Sequence, residues 1–108
     1  MTTIKNVIPI AKATIHPEGS QPMTLEYYLR CYTGPEGEDL YGMRIDMRHI
    51  GGDLAEREET AALSGCVEDV TVLVNAFAEG TVTPCVLHEM VEEWFCPQEK
   101  KFRQAQAV

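Results

Sequence analysis

Two stretches of strictly alternating apolar and polar residues constrain the fold of this chain more than any other feature. Residues 24–33 place a row of apolar side chains on one face, and residues 41–49 do the same. A period of two is typical of a strand with one buried face. The polar segment 34–39 between them predicts a loop. The apolar rows are Leu25, Tyr27, Leu29 and Cys31 in the first stretch and Tyr41, Met43, Ile45 and Met47 in the second.

The same alternation limits how the two strands pair. A slip of one residue exchanges the two faces, so the numbers of directly paired residues must add up to an even number. A sum of 74 places Leu29 opposite Ile45 on the apolar face and Glu26 opposite Arg48 on the polar face. Opposite charges in direct cross-strand pairs contribute about 0.2–1 kcal/mol each, so we expect this register.

A strand is also predicted before this pair. Residues 4–15 are rich in β-branched side chains, which favour extended structure. Pro9 lies within them and has no N–H to donate to a neighbouring strand. We therefore expect this strand to be bulged or to lie at the edge of the sheet.

A fourth strand is the preferred interpretation of residues 54–62. The pair Gly51-Gly52 predicts a two-residue hairpin turn. Folding back at that turn places Arg57 across from Asp46, which continues the pattern of opposite charges. The competing interpretation is a helix, because the alanine and glutamate residues of this segment have high helix propensity.

Two amphipathic helices follow the strands. Ser64 is positioned to cap the first helix, and Gly80 is positioned to end it. Thr83 and Pro84 are expected at the N-cap and first position of the second helix, which Pro97 stops. Their apolar stripes are Val67, Val70, Leu73, Val74 and Phe77 in the first helix and Val86, Leu87, Met90, Val91, Trp94 and Phe95 in the second.

The order of elements predicts an α+β fold. A four-stranded antiparallel meander has one apolar face, and each helix has one apolar stripe. The simplest arrangement, β-β-β-β-α-α, packs both C-terminal helices on that one sheet face. We expect residues 1–97 to form a single domain and residues 98–108 to form a polar C-terminal tail.

Composition narrows the class of protein. The formal net charge of -8 disfavours binding to the phosphate backbone of nucleic acid. No apolar stretch is long enough to span a membrane, so no membrane association is predicted. Lys5, Pro9 and Lys12 interrupt any secretory signal, and the four cysteines form no Cys-x-x-Cys pair. A cytoplasmic protein with reduced thiols is the expectation.

The stretch from Leu25 to Phe95 resembles a domain-of-unknown-function family of short, uncharacterised bacterial proteins of clostridial type. The shared layout is Tyr27-Tyr28-Leu29, Tyr41-Gly42-Met43, the Val-rich helix 67–77, Val82-Thr83-Pro84-Cys85-Val86-Leu87-His88 and Val91-Glu92-Glu93-Trp94-Phe95. The resemblance implies no activity, because no function is attached to that family.

One cluster suggests metal chemistry. Cys85, His88 and Glu92 are spaced three and four residues apart, which places them on one face of a continuous helix. A thiolate, an imidazole and a carboxylate are plausible zinc ligands, and Cys96 is a candidate fourth. The zinc-protease pattern His-Glu-x-x-His is absent, because position 92 is a glutamate. A small metal-dependent protein or enzyme is therefore the alternative function.

The preferred function is a non-catalytic protein-interaction or regulatory module. Tyr28, Arg30, Tyr32 and Arg44 share the polar sheet face, which the helices leave open, and form the candidate interaction surface. Carboxylates lie among them, so a salt-linked face is favoured over a nucleic-acid platform. We expect an unknown protein partner or a homodimer formed through the open face or a strand edge. No cofactor is predicted.

Overall fold

Residues 2–95 are described by a computed structural model, in which one antiparallel sheet is followed by two helices. This arrangement confirms the predicted α+β meander with its C-terminal helices. The predicted tail 98–108 and the domain boundary at residue 97 lie outside the described residues. The strands β1 (Thr3–Ile15), β2 (Met23–Thr33), β3 (Asp39–His49) and β4 (Leu54–Glu59) pair in chain order, and a 3₁₀ turn (Pro84–Val86) separates α1 (Val67–Glu79) from α2 (Leu87–Phe95).

The hydrophobic core lies between one face of the sheet and the helices. Helix α1 packs across β1, β2 and β3, and the 3₁₀ turn packs against β3 and β4. Within residues 2–95, no helix is long and apolar enough to cross a membrane. The fully buried core side chains include Leu25, Tyr27, Met43 and Ile45 of the sheet, Val70, Leu73 and Val74 of α1, and Leu87 of α2.

The hairpin of β2 and β3 has a register two residues away from the predicted one. Leu29 lies opposite Met43 rather than Ile45. The reason is the short loop 34–38, where the Gly34 N–H donates to the carbonyl of Glu38 at 2.8 Å and closes the hairpin at that point. Because the shift is even, both sheet faces keep the side chains that the alternation assigned to them.

Residues 54–59 form a strand, so the helical alternative for this segment is wrong. Arg57 pairs with Asp46, as the charge pattern predicted, and Glu59 pairs with Arg44. Cross-strand pairing of opposite charges therefore outweighs the local helix propensity of this short segment. The strand ends at Glu59, three residues before the predicted end.

The turn between β3 and β4 has three residues, 50–52, rather than the predicted two. The N–H of Gly52 donates to the carbonyl of His49 at 2.8 Å, and the N–H of His49 donates to the carbonyl of Asp53 at 2.8 Å. Gly52 has a φ of 96°. This left-handed conformation suits glycine, and a three-residue hairpin loop requires it at that position.

Strand β1 lies at one edge of the sheet and is irregular, as expected from Pro9. Its pairing with β2 shifts register between Ile4 and Asn6 and again between Pro9 and Ala11. Bulges are common at sheet edges, and a proline within a sheet is largely confined to edge strands.

The helix ends differ from the predicted capping. Cys66 occupies the N-cap of α1, where no side chain caps the helix, while the hydroxyl of Ser64 accepts a bond from the Cys66 N–H at 3.0 Å. Gly80 has a φ of -84°, and Thr81 adopts the left-handed conformation instead, with a φ of 49°. The bond from the Val82 N–H to the carbonyl of Phe77, at 3.0 Å, holds this strained turn.

The second helix also starts later than predicted. Thr83 precedes the 3₁₀ turn, but its hydroxyl makes no capping bond. The α-helix itself begins at Leu87, which is fully buried and anchors the turn in the core. The sequence signal of Thr83 and Pro84 therefore marks the start of a 3₁₀ turn and not of an α-helix.

Tyr27 connects the sheet to the segment between the helices. Its side chain is fully buried, and its hydroxyl donates to the carbonyl of Val82 at 2.9 Å. Burial raises the pKa of Tyr27 to about 12 from its ordinary value of 10.0. The folded protein therefore holds the phenol in its neutral form.

The Tyr27→Phe variant tests this anchor through the pH dependence of stability. The raised pKa means that the wild type has its full stability below pH 10 and loses this contribution as the pH rises from 10 to about 12, because only the unfolded state loses the proton readily. The variant should unfold about 1 kcal/mol more easily at pH 7. Its stability should also decline less between pH 9 and 11 in urea titrations. Parallel alkaline declines in both proteins would contradict the assignment.

Candidate functional site

The sheet face opposite the helices, called the outer face below, is built from linked charged side chains. Each of its carboxylates has a cation within 3.8 Å. Cations outnumber carboxylates by two, although the whole chain has a net charge of -8. The charged members are the cations Lys12, Arg30, Arg44, Arg48 and Arg57 and the carboxylates Glu26, Asp46 and Glu59.

Asp46 is the centre of the outer face. Its carboxylate is fully buried although it lies on the uncovered side of the sheet. Arg57 binds it with two hydrogen bonds, from Nε to Oδ1 at 2.8 Å and from Nη2 to Oδ2 at 3.0 Å. Nη2 of Arg44 donates to Oδ2 at 3.2 Å, and Nη2 of Arg48 lies 3.5 Å from the same oxygen. The bond to Asp46 raises the pKa of the Arg57 guanidinium. Three guanidinium groups therefore cover and neutralise one carboxylate.

Arg48 joins Asp46 to a second carboxylate. Its Nε donates to Glu26 at 2.6 Å, and this bond raises the pKa of the guanidinium. In the observed register Glu26 lies directly opposite Asp46, a pairing of like charges. Arg48 compensates for that pairing from the neighbouring diagonal position. The predicted contact between Glu26 and Arg48 thus forms, but not as a direct pair.

Tyr28 lies on the outer face beside Arg44. The two residues are direct cross-strand partners, and the guanidinium carbon of Arg44 stands 4.3 Å from the centre of the Tyr28 ring. A cation over an aromatic ring at this distance is attractive. One face of the Tyr28 ring is therefore occupied by the Arg44 guanidinium.

Tyr32 and Arg30 converge on Thr60, the residue that follows β4. The hydroxyl of Tyr32 donates to the Thr60 carbonyl at 2.6 Å, and Nη1 of Arg30 donates to it at 3.0 Å. Thr60 also accepts at its hydroxyl from the N–H of Met43 at 3.0 Å. Tyr32 is only 7% exposed as a result. Of the predicted surface, Tyr28, Arg30 and Arg44 remain partly accessible, whereas the ring of Tyr32 is covered.

Gly42 permits this close approach. A Cβ atom at Gly42 would lie 2.6 Å from the carbonyl oxygen of Ala61 and 2.7 Å from the hydroxyl of Thr60. Neither distance is compatible with a side chain, so only glycine fits between Tyr41 and Met43. This explains the middle residue of the Tyr-Gly-Met motif as a packing requirement.

A shallow cleft of about 530 Å³ opens at this end of the outer face. Arg30, Tyr32, Glu59 and Thr60 are among the residues that line it. Arg30 pairs with Glu59 at 3.4 Å, and both residues line the cleft. The cleft therefore has a guanidinium and a carboxylate side by side among its lining groups.

The residues of the suggested metal cluster have separate neighbours. The imidazole of His88 lies 3.3 Å from a carboxylate oxygen of Glu58, and the thiol of Cys85 lies 3.3 Å from the hydroxyl of Thr83. Glu92 is exposed on α2. Within residues 2–95, no three His, Cys, Asp or Glu side chains are grouped to hold a metal ion. Cys96, the candidate fourth ligand, lies outside the described residues.

The fold and the outer face together define an α+β protein with a helix layer on one side of an antiparallel sheet and an arginine-rich surface on the other. The chain belongs to DUF6514, a family of unknown function, whose model matches residues 6–97. This confirms the resemblance to a domain-of-unknown-function family. Neither a curated protein nor a solved structure matches the chain.

Sequence reasoning missed the central role of Asp46 and the role of Thr60. Arg57 was placed opposite Asp46, but three guanidinium groups on one carboxylate require the observed register and its diagonal neighbours. Thr60 was assigned to a strand and given no contacts of its own. The available signal was Gly42, whose position inside an apolar strand indicates a close approach by other backbone.

The Asp46→Asn variant tests whether this carboxylate holds the outer face together. Removing its charge leaves three guanidinium groups facing one another, and we expect a loss of about 2–4 kcal/mol in the free energy of unfolding, measured with urea. Glu59→Gln is the matched control, because the Glu59 side chain is 44% exposed and, among residues 2–95, pairs with Arg30 alone. It should cost less than about 1 kcal/mol. Equal losses in the two variants would contradict the central role of Asp46.

Proposed function

We propose that this chain is a non-catalytic protein-interaction module and that its outer face binds a carboxylate-rich segment of a partner protein. The observation that carries the proposal is the excess of cations on an uncovered sheet face of an acidic chain. The predicted surface residues Tyr28, Arg30, Tyr32 and Arg44 form part of this face, with Arg48 and Arg57 beside them.

The hydrogen-bonding capacity of the arginines supports an acidic partner. Four guanidinium groups carry about twenty N–H donors between them. Seven hydrogen bonds use these donors within residues 2–95. The Nε atoms of Arg30 and Arg44 are buried, so the donors left for a partner are on the terminal Nη atoms, which form strong charge-assisted bonds with carboxylates. The 40% exposure of Arg57 leaves its guanidinium within reach of a partner.

The same geometry argues against a nucleic-acid partner. Single-strand platforms stack bases on exposed aromatic rings. Here Arg44 covers one face of Tyr28, and Tyr32 is buried. The metal-dependent alternative has no supporting observation, because Cys85 and His88 contact different neighbours.

Binding of a fluorescein-labelled decaglutamate peptide tests the outer face. At 0.15 M salt, charges farther away than about 8 Å are largely screened, so remote carboxylates of the chain interfere little. We expect saturable binding by fluorescence anisotropy, and Arg57→Gln should raise Kd about tenfold, equivalent to about 1.4 kcal/mol. Lys5→Gln is the matched control, because Lys5 pairs with Asp39 and lies outside the set of side chains that forms the outer face. No binding by the wild type, or equal weakening by both changes, would contradict the proposal.

Self-association is proposed at the edge of β1 rather than on the outer face. Two outer faces brought together around a two-fold axis would place like charges against each other. In the part of the chain that the structure describes, one edge of strand β1 has no neighbouring strand, and Ile4 and Ile8 on β1 are 45% and 39% exposed. Pairing of two such edges is a common route to a homodimer.

Sedimentation equilibrium at tens of micromolar tests this dimer. The expected species has about twice the chain mass of 12.1 kDa. Ile8→Lys should shift it to monomer, because it places a charge at the edge. Ile50→Lys changes an equally apolar exposed residue in the turn before β4 and should leave the mass unchanged. A single 12.1 kDa species in the wild type would show that the edge stays unpaired.

A further inference from the structure

The helix layer has the opposite charge to the outer face. The chain has no Lys or Arg between Glu58 and Glu99. All carboxylates on α1 and α2 are exposed, including Glu89, which follows His88 in α2. This surface is therefore anionic throughout the described helices. The exposed carboxylates are Glu68, Asp69, Glu79, Glu89, Glu92 and Glu93.

A group of exposed apolar side chains lies within this anionic surface. Val72, Trp94 and Phe95 are 58%, 43% and 43% exposed and line a hollow of about 280 Å³ together with Asp69. Trp94 also packs edge-on against Phe77, with ring centres 6.2 Å apart, so one side of its indole is anchored in the core. A fixed, half-exposed tryptophan beside other apolar groups is typical of the energetic centre of a protein interface.

We propose that this hollow binds a second partner, a basic protein segment that inserts an apolar side chain between Val72, Trp94 and Phe95. The site is separate from the outer face and does not depend on the function proposed for that face.

The spacing of charged and apolar residues along the two helices supports a partner segment that is both basic and apolar. Asp69 and Glu68 precede Val72 by three and four residues, so they lie on the same side of α1. Glu92 precedes Phe95 by three residues on α2 and stands on the same side of that helix. Carboxylates therefore flank the apolar hollow from both helices. A lysine or arginine on either side of an inserted leucine would meet them, whereas an acidic segment or an anionic lipid surface would be repelled.

Trp94 provides a direct measurement, because it is the only tryptophan of the chain. The probe is a twelve-residue amphipathic peptide of leucine and lysine, added to the full chain. We expect a saturable shift of the Trp94 emission to shorter wavelength as the hollow loses water. A peptide with serine in place of leucine should shift it at least tenfold less at equal concentration. Raising salt from 0.1 to 0.5 M should weaken binding several-fold.

Matched variants locate the binding. Val72→Ser should raise the Kd of the leucine-lysine peptide at least fivefold, whereas Ile50→Ser, which removes an exposed apolar side chain elsewhere, should leave it unchanged. Asp69→Asn should raise it about threefold. An unchanged Trp94 emission, equal binding of the serine peptide, or equal effects of Val72→Ser and Ile50→Ser would overturn the proposal. Lys12→Gln, which removes a highly exposed cation of the outer face, should have no effect on this binding, which keeps the result independent of that face.

Discussion

The register of the β2–β3 hairpin is the constraint on which the rest of the structure depends. The loop 34–38 closes at a fixed length, and this sets Leu29 against Met43 on the inner face and Tyr28 against Arg44 on the outer face. The inner row then offers a continuous apolar surface to α1. The outer row brings Asp46 within reach of guanidinium groups from β3 and β4. One hairpin thus organises both the core and the charged surface.

The outer face of the sheet is covered by its own side chains and not by a helix of the described chain. Neither α1 nor α2 shields it, so its backbone and its central carboxylate are covered by arginine side chains and by Tyr28 and Tyr32. The segment that begins at Thr60 adds a second cover, because its backbone lies against Gly42 and accepts bonds from Arg30 and Tyr32. The same side chains therefore give the outer face both its cover and its charge.

Much of the fold follows from patterns that the sequence displays directly. The period-two alternation predicted β2, β3 and their two faces. Opposite charges predicted a strand at 54–62 against a competing helix propensity, and 54–59 of it forms. The exact register was not predictable, because it depends on hydrogen bonds inside the loop 34–38. Likewise, the left-handed residue after α1 is Thr81 and not Gly80, since the buried positions of Phe77 and Val82 fix the turn.

The candidate site was predicted less completely, for physical reasons. The grouping of Cys85, His88 and Glu92 assumed a continuous α-helix, but a 3₁₀ turn ends at Val86 and changes the angular spacing before His88. The outer face was placed correctly, yet the burial of Tyr32 depends on Thr60, which lies 28 residues away in sequence. A contact between residues so far apart in sequence produces no local sequence pattern from which it could be predicted.

Within residues 2–95 the two layers carry charges of opposite sign, so this part of the molecule has an electric dipole directed from the helices toward the outer face. A charged surface therefore orients the protein before any contact forms. On an anion exchanger the helix layer would lie against the resin, and the arginine-rich sheet face would point away from it. In solution, the same field would bring approaching acidic and basic molecules to opposite sides of one small domain.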